Sequence, residues 1–303
     1  MKFTKMQATG NDFVLLDAHQ VEQNWPELAR DMCRRHFGIG ADGLILVLPS
    51  DKADFRMRMF NPDGSEAEAC GNGLRCFVRY VIEKRLTGKT RLKIETRAGI
   101  REASIEFRVS SSEGGGVASK LETQNSKLLV RVAMGLPEFA PDKIPVRIES
   151  VTVPVLDYPL NLKDIEIKMS LVSMGNPHAV CFLDEPVAGF PLSDIGPQIE
   201  HHQVFPNRTN FEIVNVVGKR QLRARVWERG AGETLSCGSG ACAIAVAARL
   251  HGFGDDMIEI ELPGGTLMVG WDGRGEVWLS GPAETVFEGE FIKAEMRRCK
   301  KRC

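Results

Sequence analysis

The eight cysteines of this 303-residue chain include no Cys-x-x-Cys pair, so the spacing that zinc sites use is missing. Long apolar runs are missing too: the longest, Ala241 to Ala248, is far too short to cross a bilayer. Nothing at the start reads as a secretory signal, since Lys2 and Lys5 lead into Gln7, Thr9 and Gly10 rather than an apolar core. One-sided charge is absent, with a net charge of −1 and 26% charged residues, which removes the basic field that attracts nucleic acid. No lysine stands in a context that suggests a Schiff base. Gly38-Ile39-Gly40-Ala41-Asp42-Gly43 has the letters of a dinucleotide fingerprint, but a strand should precede it and a helix follow. Arg34 to Phe37 precedes and strand-like Leu44 to Leu48 follows, so the segment reads as a turn. These absences predict a cytoplasmic protein with reduced cysteines, without metal or cofactor, whose partners are neither membrane nor nucleic acid.

What is present is a repeat. Cys70-Gly71-Asn72-Gly73 and Cys237-Gly238-Ser239-Gly240 lie 167 residues apart, each opening an apolar stretch, each with a glutamate four residues earlier (Glu66, Glu233). Gly10-Asn11 recurs as Gly175-Asn176 at an offset of 165, and Phe37–Asp42 aligns with Phe205–Asn210 at 168. A period this long means two related domains rather than an array, and 303 residues suffice for two cores. Strands are expected at 3–8, 12–17, 44–48, 55–60, 92–96, 103–109 and 128–132, with a helix beginning near Trp25-Pro26. The second half offers strands at 151–157, 168–173, 179–183, 211–217, 221–228, 258–262, 266–271 and 275–280. Many strands and few helices make the fold class α+β. Ser110 to Gly116 reads as an inert flexible loop, and the basic tail Met296–Cys303 as a solvated end.

The stretch after Cys237 has no polar face, which predicts a helix buried on every side, the axis of a curved sheet or barrel. Cys76 and Cys242 fall inside the helices as small core residues. Cys70 and Cys237 fall at the entrances, where unpaired N–H groups and the helix dipole favour both a thiolate and a carboxylate. The glycines leave room for a ligand, so the amides of Gly71, Asn72, Gly238 and Ser239 can hold one substrate carboxylate. Two thiols on opposite faces of one carbon can then remove a proton and deliver another, inverting it.

The sequence resembles the diaminopimelate epimerases over nearly its whole length. The resemblance is carried by Ala8–Phe13, Phe60–Ser65, Ala69–Cys76, Met174–His178, Phe205-Pro206 with Asn210, and Glu228–Thr234 leading into Cys237. It implies a pyridoxal-independent two-base reaction interconverting LL- and meso-2,6-diaminoheptanedioate, in lysine and peptidoglycan precursor biosynthesis, by a homodimer. Cys70 and Cys237 would be the acid/base pair. Asn11, Asn61, Asn176, Asn210 and Arg229 would hold the substrate, Glu228 would pair with the ammonium at the reacting centre, and His178 would help Glu228 tune the thiols. It also implies two similar domains, 1–136 and 137–282, each of strands around a central helix, with 283–303 returning to the first and the site in the cleft between them. Two positions depart from the pattern: Gly43 replaces a glutamine of some relatives, and Phe287 a tyrosine linked to dimer packing. A related cofactor-independent amino-acid racemase and a thiol redox sensor are the alternatives.

Overall fold

The structure is a computed structural model, and it describes residues 1–19, 21–68, 70–108, 127–149, 151–162 and 165–292. The Gly-rich loop at 110–116, Val109, and the basic tail with Cys299 and Cys303 lie outside the described residues.

The first half opens with the antiparallel hairpin β1 (Lys2–Ala8) and β2 (Asn11–Asp17). Helix α1 (Trp25–Cys33) follows, its Glu27 N–H donating to the side chain of Asn24 at 3.3 Å. Then come β3 (Gly43–Leu48), β4 (Phe55–Phe60), β5 (Glu66–Ala67), α2 (Gly71–Glu83), β6 (Arg91–Thr96), β7 (Gly99–Arg108) and β8 (Lys127–Gly135). The second half runs β9 (Tyr158–Asn161), β10 (Glu166–Ser173), β11 (Pro177–Phe182), α3 (Leu192–Glu200), β12 (Asn210–Gly218), β13 (Gln221–Glu228) and β14 (Gly232–Thr234). It continues with α4 (Gly238–Leu250), β15 (Met257–Leu262), β16 (Gly265–Gly270), β17 (Val277–Gly281) and β18 (Glu284–Glu290).

The pairing repeats step for step. In the first half β1–β2 is antiparallel, β2–β3 parallel, β3–β4 antiparallel, β4–β6 parallel, and β6–β7–β8 antiparallel. The second half gives the same series with β10, β11, β12, β13, β15, β16 and β17. The halves are stitched by β8 on β17, and β18 crosses back to pair with β1, as β9 pairs with β10. The α+β class and the two pseudo-symmetric halves are therefore what the strand and helix patterns indicate, the strands forming a connected curved sheet rather than closed barrels.

Ladder register refines the repeat. Phe13 pairs with Gly43 across β2–β3, and His178 with Asn210 across β11–β12, so Asn210 corresponds to Gly43 and not to Asp42. The offset there is 167, the same as between the cysteines, rather than 168. One other expectation fails. Residues 151–157 form no strand: Pro154 has no N–H to give a ladder, and Val155 is buried while Val153 stays exposed. Helix α3 has no counterpart in the sequence reading; it contains Gly196 and Pro197, and a Cβ at Gly196 would lie 2.5 Å from the Trp227 ring, so the glycine is there for close packing.

Both long helices are enclosed. Helix α4 packs against β10, β11, β12, β15, β16 and β17, and every residue from Gly240 to Ala248 is buried. Helix α2 is held likewise by β1, β2, β3, β4, β7, β8 and β18. Phe77, Val81, Ile244 and Val246 share one apolar cluster that runs through both halves. Truncating Ile244 to alanine there would cost about 2–5 kcal/mol. Helices α1 and α3 cover the outer faces, each over a smaller cluster of its own.

Candidate active site

Cys70 and Cys237 are the N-cap residues of α2 and α4. Each sulfur accepts the N–H of the residue three positions on, from Gly73 and Gly240, both at 3.4 Å. The amides of Gly71, Asn72, Gly238 and Ser239 have no partner within their helices, as at any helix start. The glycines are required by space. A Cβ at Gly73 would meet Ile45 Cδ1 at 3.1 Å, and one at Gly240 would meet Glu212 Oε1 at 2.9 Å. At Gly71 it would meet Met134 Cε at 3.0 Å, and at Gly238 Leu279 Cδ2 at 3.2 Å.

The repeated glutamates deliver these turns. Glu66 takes a two-pronged hydrogen bond from Arg58 at 2.7 and 2.9 Å, and Glu233 one from Arg225 at 2.8 and 3.0 Å, at the same offset of eight residues. Each pair braces the short strand, β5 or β14, that leads into its cysteine.

A cavity of about 500 Å³ lies between the helix ends. Its wall includes Asn11, Cys70, Gly71, Asn72, Asn176, Glu228, Arg229, Cys237, Gly238 and Ser239, drawn from both halves. Ten of the sequence-predicted site residues thus meet in one place. Asn11 is oriented by Asp42, which accepts its Nδ2 at 2.7 Å, so its Oδ1 faces Asn72 Nδ2 at 3.3 Å. Asn72 also donates to Ser236 O at 3.2 Å, a bond between halves, while its buried Oδ1 has no partner. Thr234 donates to Glu228 Oε1 at 2.5 Å, and Ser239 Oγ lies 3.5 Å from the Cys237 sulfur.

Three predicted residues are not on the wall. Asn210 is buried, donating to Pro177 O at 2.8 Å and accepting the Arg229 N–H at 2.9 Å, so it positions Arg229. His178 is fully buried, with Nε2 3.1 Å from Asn176 Oδ1 and Nδ1 2.7 Å from Glu212 Oε1. Asn61 closes the β4–β5 turn through Ser65, at the tip of the hairpin whose return strand reaches the cavity. Gly43 also stays away from the cavity, close under Met59, Phe60 and Phe13.

Burial changes the electrostatics expected from sequence. The helix amides pull both thiols down, but desolvation outweighs them: Cys70 is raised above an ordinary thiol and Cys237 well above it. Glu228, which shares a hydrogen bond with the Cys237 thiol, is raised by burial and adds to the rise of both. Glu212, also raised by desolvation, adds further to Cys237. Burial therefore opposes the acidification that a helix entrance favours at both thiols.

Sequence reading missed three charged groups. Glu212, partner of His178, was hidden in the strand run Phe211–Val216; Arg101 of β7 lines the cavity; and Arg75 is completely buried. Glu212 alone left a detectable signal, a carboxylate where the first half has Ile45. Among the described residues, no group of three or more His, Cys, Asp or Glu side chains is arranged to hold a metal, and no helix is long and apolar enough to cross a membrane.

The fold and the paired helix entrances define a class. The phenazine biosynthesis protein of the PhzF family from Bacillus anthracis is similar over 96% of this chain and 99% of its own, at a TM-score of 0.66 and 20% identity. A hydroxyproline epimerase from Agrobacterium vitis is similar over 95% and 91%, at 0.64 and 16%. The family model for diaminopimelate epimerase matches residues 3–115 and 170–286. Relatives named diaminopimelate epimerase are 47% identical in Moorella thermoacetica (96% of this chain, 99% of the relative) and 43% identical in Halothermothrix orenii (97% and 99%). The chain belongs to the diaminopimelate epimerase family of isomerases.

Proposed function

We propose that this enzyme inverts the α-carbon of LL-2,6-diaminoheptanedioate to the meso form without a cofactor, in lysine and peptidoglycan precursor biosynthesis. The observation that carries this reading is that two cysteines, each capping a helix of a different half, open into one small cavity. One sulfur, as thiolate, takes the α-proton; the other, as thiol, delivers its proton to the opposite face. No electrons are gained or lost, and the two sulfurs exchange protonation states.

The α-carboxylate sits between the helix ends, on the amides of Gly71, Asn72, Gly238 and Ser239, where its growing negative charge is met by both dipoles. Glu228 faces the α-ammonium. Arg229, held through its backbone by Asn210, takes the distal carboxylate, with Asn11, Asn176 and, at the hairpin tip, Asn61 as polar neighbours. His178 fixes Asn176. The halves that supply these groups are residues 1–136 with the returning β18, and 137–282.

The test is incubation of the reduced enzyme with LL-diaminopimelate in deuterated water, without added cofactor. Deuterium at the α-carbon together with meso product is expected, and both should fall by a factor on the order of a thousand in Cys70→Ala and Cys237→Ala. Turnover that survives either substitution would sink the two-base reading. Turnover of proline instead of diaminopimelate would move the enzyme to the racemase class.

A further inference from the structure

Polarity is inverted at one end of β7. Successive side chains of a strand alternate between faces, so Arg101, Ala103 and Ile105 share one row. Ala103 belongs to the apolar cluster around α2 and α4, and Ile105 packs against it. Arg101 continues that inward row, half-buried, while its neighbour Ile100 is 47% exposed. An arginine turned inward beside an isoleucine turned outward reverses the usual distribution of polar and apolar groups. The guanidinium lines the cavity that holds Cys70 and Cys237, and it has no hydrogen bond or ion pair among the described residues.

The other charges of the wall are spoken for or turned to solvent. Glu66 is neutralised by Arg58, Glu228 accepts from Thr234, and Glu68 is exposed. The second cation of the wall, Arg229, comes from the other half; Asn210 holds its backbone, and its Nη1 donates to Asn207 O at 3.2 Å. A guanidinium drawn partly out of water without an anion is costly, so an unpaired one on a cavity wall calls for an anionic ligand. Its place on the wall narrows which anion. Strand β7 runs antiparallel to β8 with Ala103 opposite Val132, so Arg101 lies toward Met134 and Gly135. A Cβ on Gly135 would meet its Nη1 at 3.3 Å. At the first turn of α2 the atoms nearest a Cβ on Gly71 belong to Met134 and Leu279, and the guanidinium is not among them.

Resting on the epimerase reading, we propose that Arg101 is a specificity-determining residue, whose guanidinium takes the distal carboxylate of the substrate together with Arg229. The α-carboxylate is already supplied with amides from two helix starts, which leaves the distal carboxylate as the anion that a free cation on this wall can meet. A planar fork matches both oxygens of a carboxylate, and the two forks here are carried by different halves of the chain. A monocarboxylic amino acid would occupy the reacting end and leave Arg101 as it stands, half-buried and unpaired. Selection for a second carboxylate follows from that contrast: the right substrate completes the cation, and the wrong one leaves its cost in place.

The experiment measures kcat and KM for LL-diaminopimelate in full-length reduced wild type, Arg101→Met, Arg101→Lys, Arg229→Met and the double variant Arg101→Met/Arg229→Met. Lysine, the same molecule without its distal carboxylate, is run beside it as a competitive inhibitor. Arg101→Met should raise KM about tenfold, hold kcat within about twofold and leave inhibition by lysine unchanged. Arg101→Lys should restore part of the KM, since it keeps the charge and loses the fork. The double variant should raise KM by less than the product of the single effects, because both arginines hold one group. An unchanged KM in Arg101→Met overturns the proposal, as does a fall in kcat at constant KM, which puts the guanidinium at the reacting carbon. Equal weakening of lysine, which puts it on the α-carboxylate, overturns it too, and so do effects that multiply fully in the double variant. Should Arg101→Met lower Tm, Arg101→Lys decides: a raised KM at wild-type Tm supports the assignment, and a wild-type KM ends it. Unchanged KM with α-deuterium exchange intact removes only the role of Arg101, whereas absence of exchange in the wild type removes the epimerase reading itself.

Discussion

A Cβ added to Gly238 would lie 3.7 Å from the Cα of Gly71, so the entrances of two helices from opposite halves of the chain touch. That contact brings the first turns of α2 and α4 together at the cavity. Gly238→Ala would press on Leu279 Cδ2 at 3.2 Å and touch Asn72 Oδ1 at 3.5 Å. We expect kcat/KM to fall about a hundredfold, the usual cost of a displacement near an ångström at a reacting centre. Gly88→Ala, where a Cβ meets nothing within 4 Å, should leave activity unchanged. Wild-type turnover in Gly238→Ala would show that the helix ends do not share a carboxylate.

Glu228→Gln preserves the shape and the acceptor for Thr234 but removes a negative charge facing both sulfurs. Loss of the ammonium partner should lower kcat/KM by about two to three orders of magnitude. The same change should make both thiols easier to ionise, so their alkylation midpoints move down as activity falls. Midpoints that rise instead would mean the charge near the sulfurs has been misassigned.

Alkaline pH should weaken the fold. Burial raises all six described thiols above their ordinary value of 9.0, Cys33 and Cys181 up to about 12. The folded state therefore favours the neutral thiol. Its contribution is complete below the ordinary thiol value and is lost as pH climbs toward the folded value. Between those limits each such thiol removes about 1.4 kcal/mol per pH unit. Thermal melts should show Tm falling above about pH 9, less steeply in Cys33→Ala; an unchanged slope in that variant would contradict the assignment.

Asn210→Ala tests a residue that acts from behind the wall. It leaves Pro177 O and the Arg229 N–H without their buried partner, at a cost of about 1–3 kcal/mol in stability. Because Arg229 loses its anchor, KM should rise more than kcat falls. A purely structural Asn210 would lower Tm and leave KM where it is.

Much of the site was legible because the duplication repeats both spacing and chemistry. Cys70 and Cys237, their glycines, Asn11 and Asn176 stand in matched turns, Gly10 and Gly175 sharing a left-handed backbone at φ 84° and 89°. Helix α4 begins and ends where its unbroken apolar run requires. What sequence concealed are the places where the copies differ. Arg75 interrupts an apolar helix face, and nothing in one dimension shows that its neighbours bury it. Glu212 looked like a polar residue on a strand, and only the parallel ladder from His178 brings the two together. The raised thiols were missed for a similar reason: a helix start is visible in sequence, but the depth at which it is buried is not.

The return of β18 to β1 bears on how the polypeptide is made. Lys2 to Gln7 find their outer hydrogen-bonding neighbours among Glu284 to Glu290, nearly the whole chain away. On a ribosome β1 must wait, with that edge unpaired, until Glu284 to Glu290 have been made. A nascent chain stalled before Glu284 would carry both cysteine turns, yet leave its earliest-made sheet open to any strand that came by.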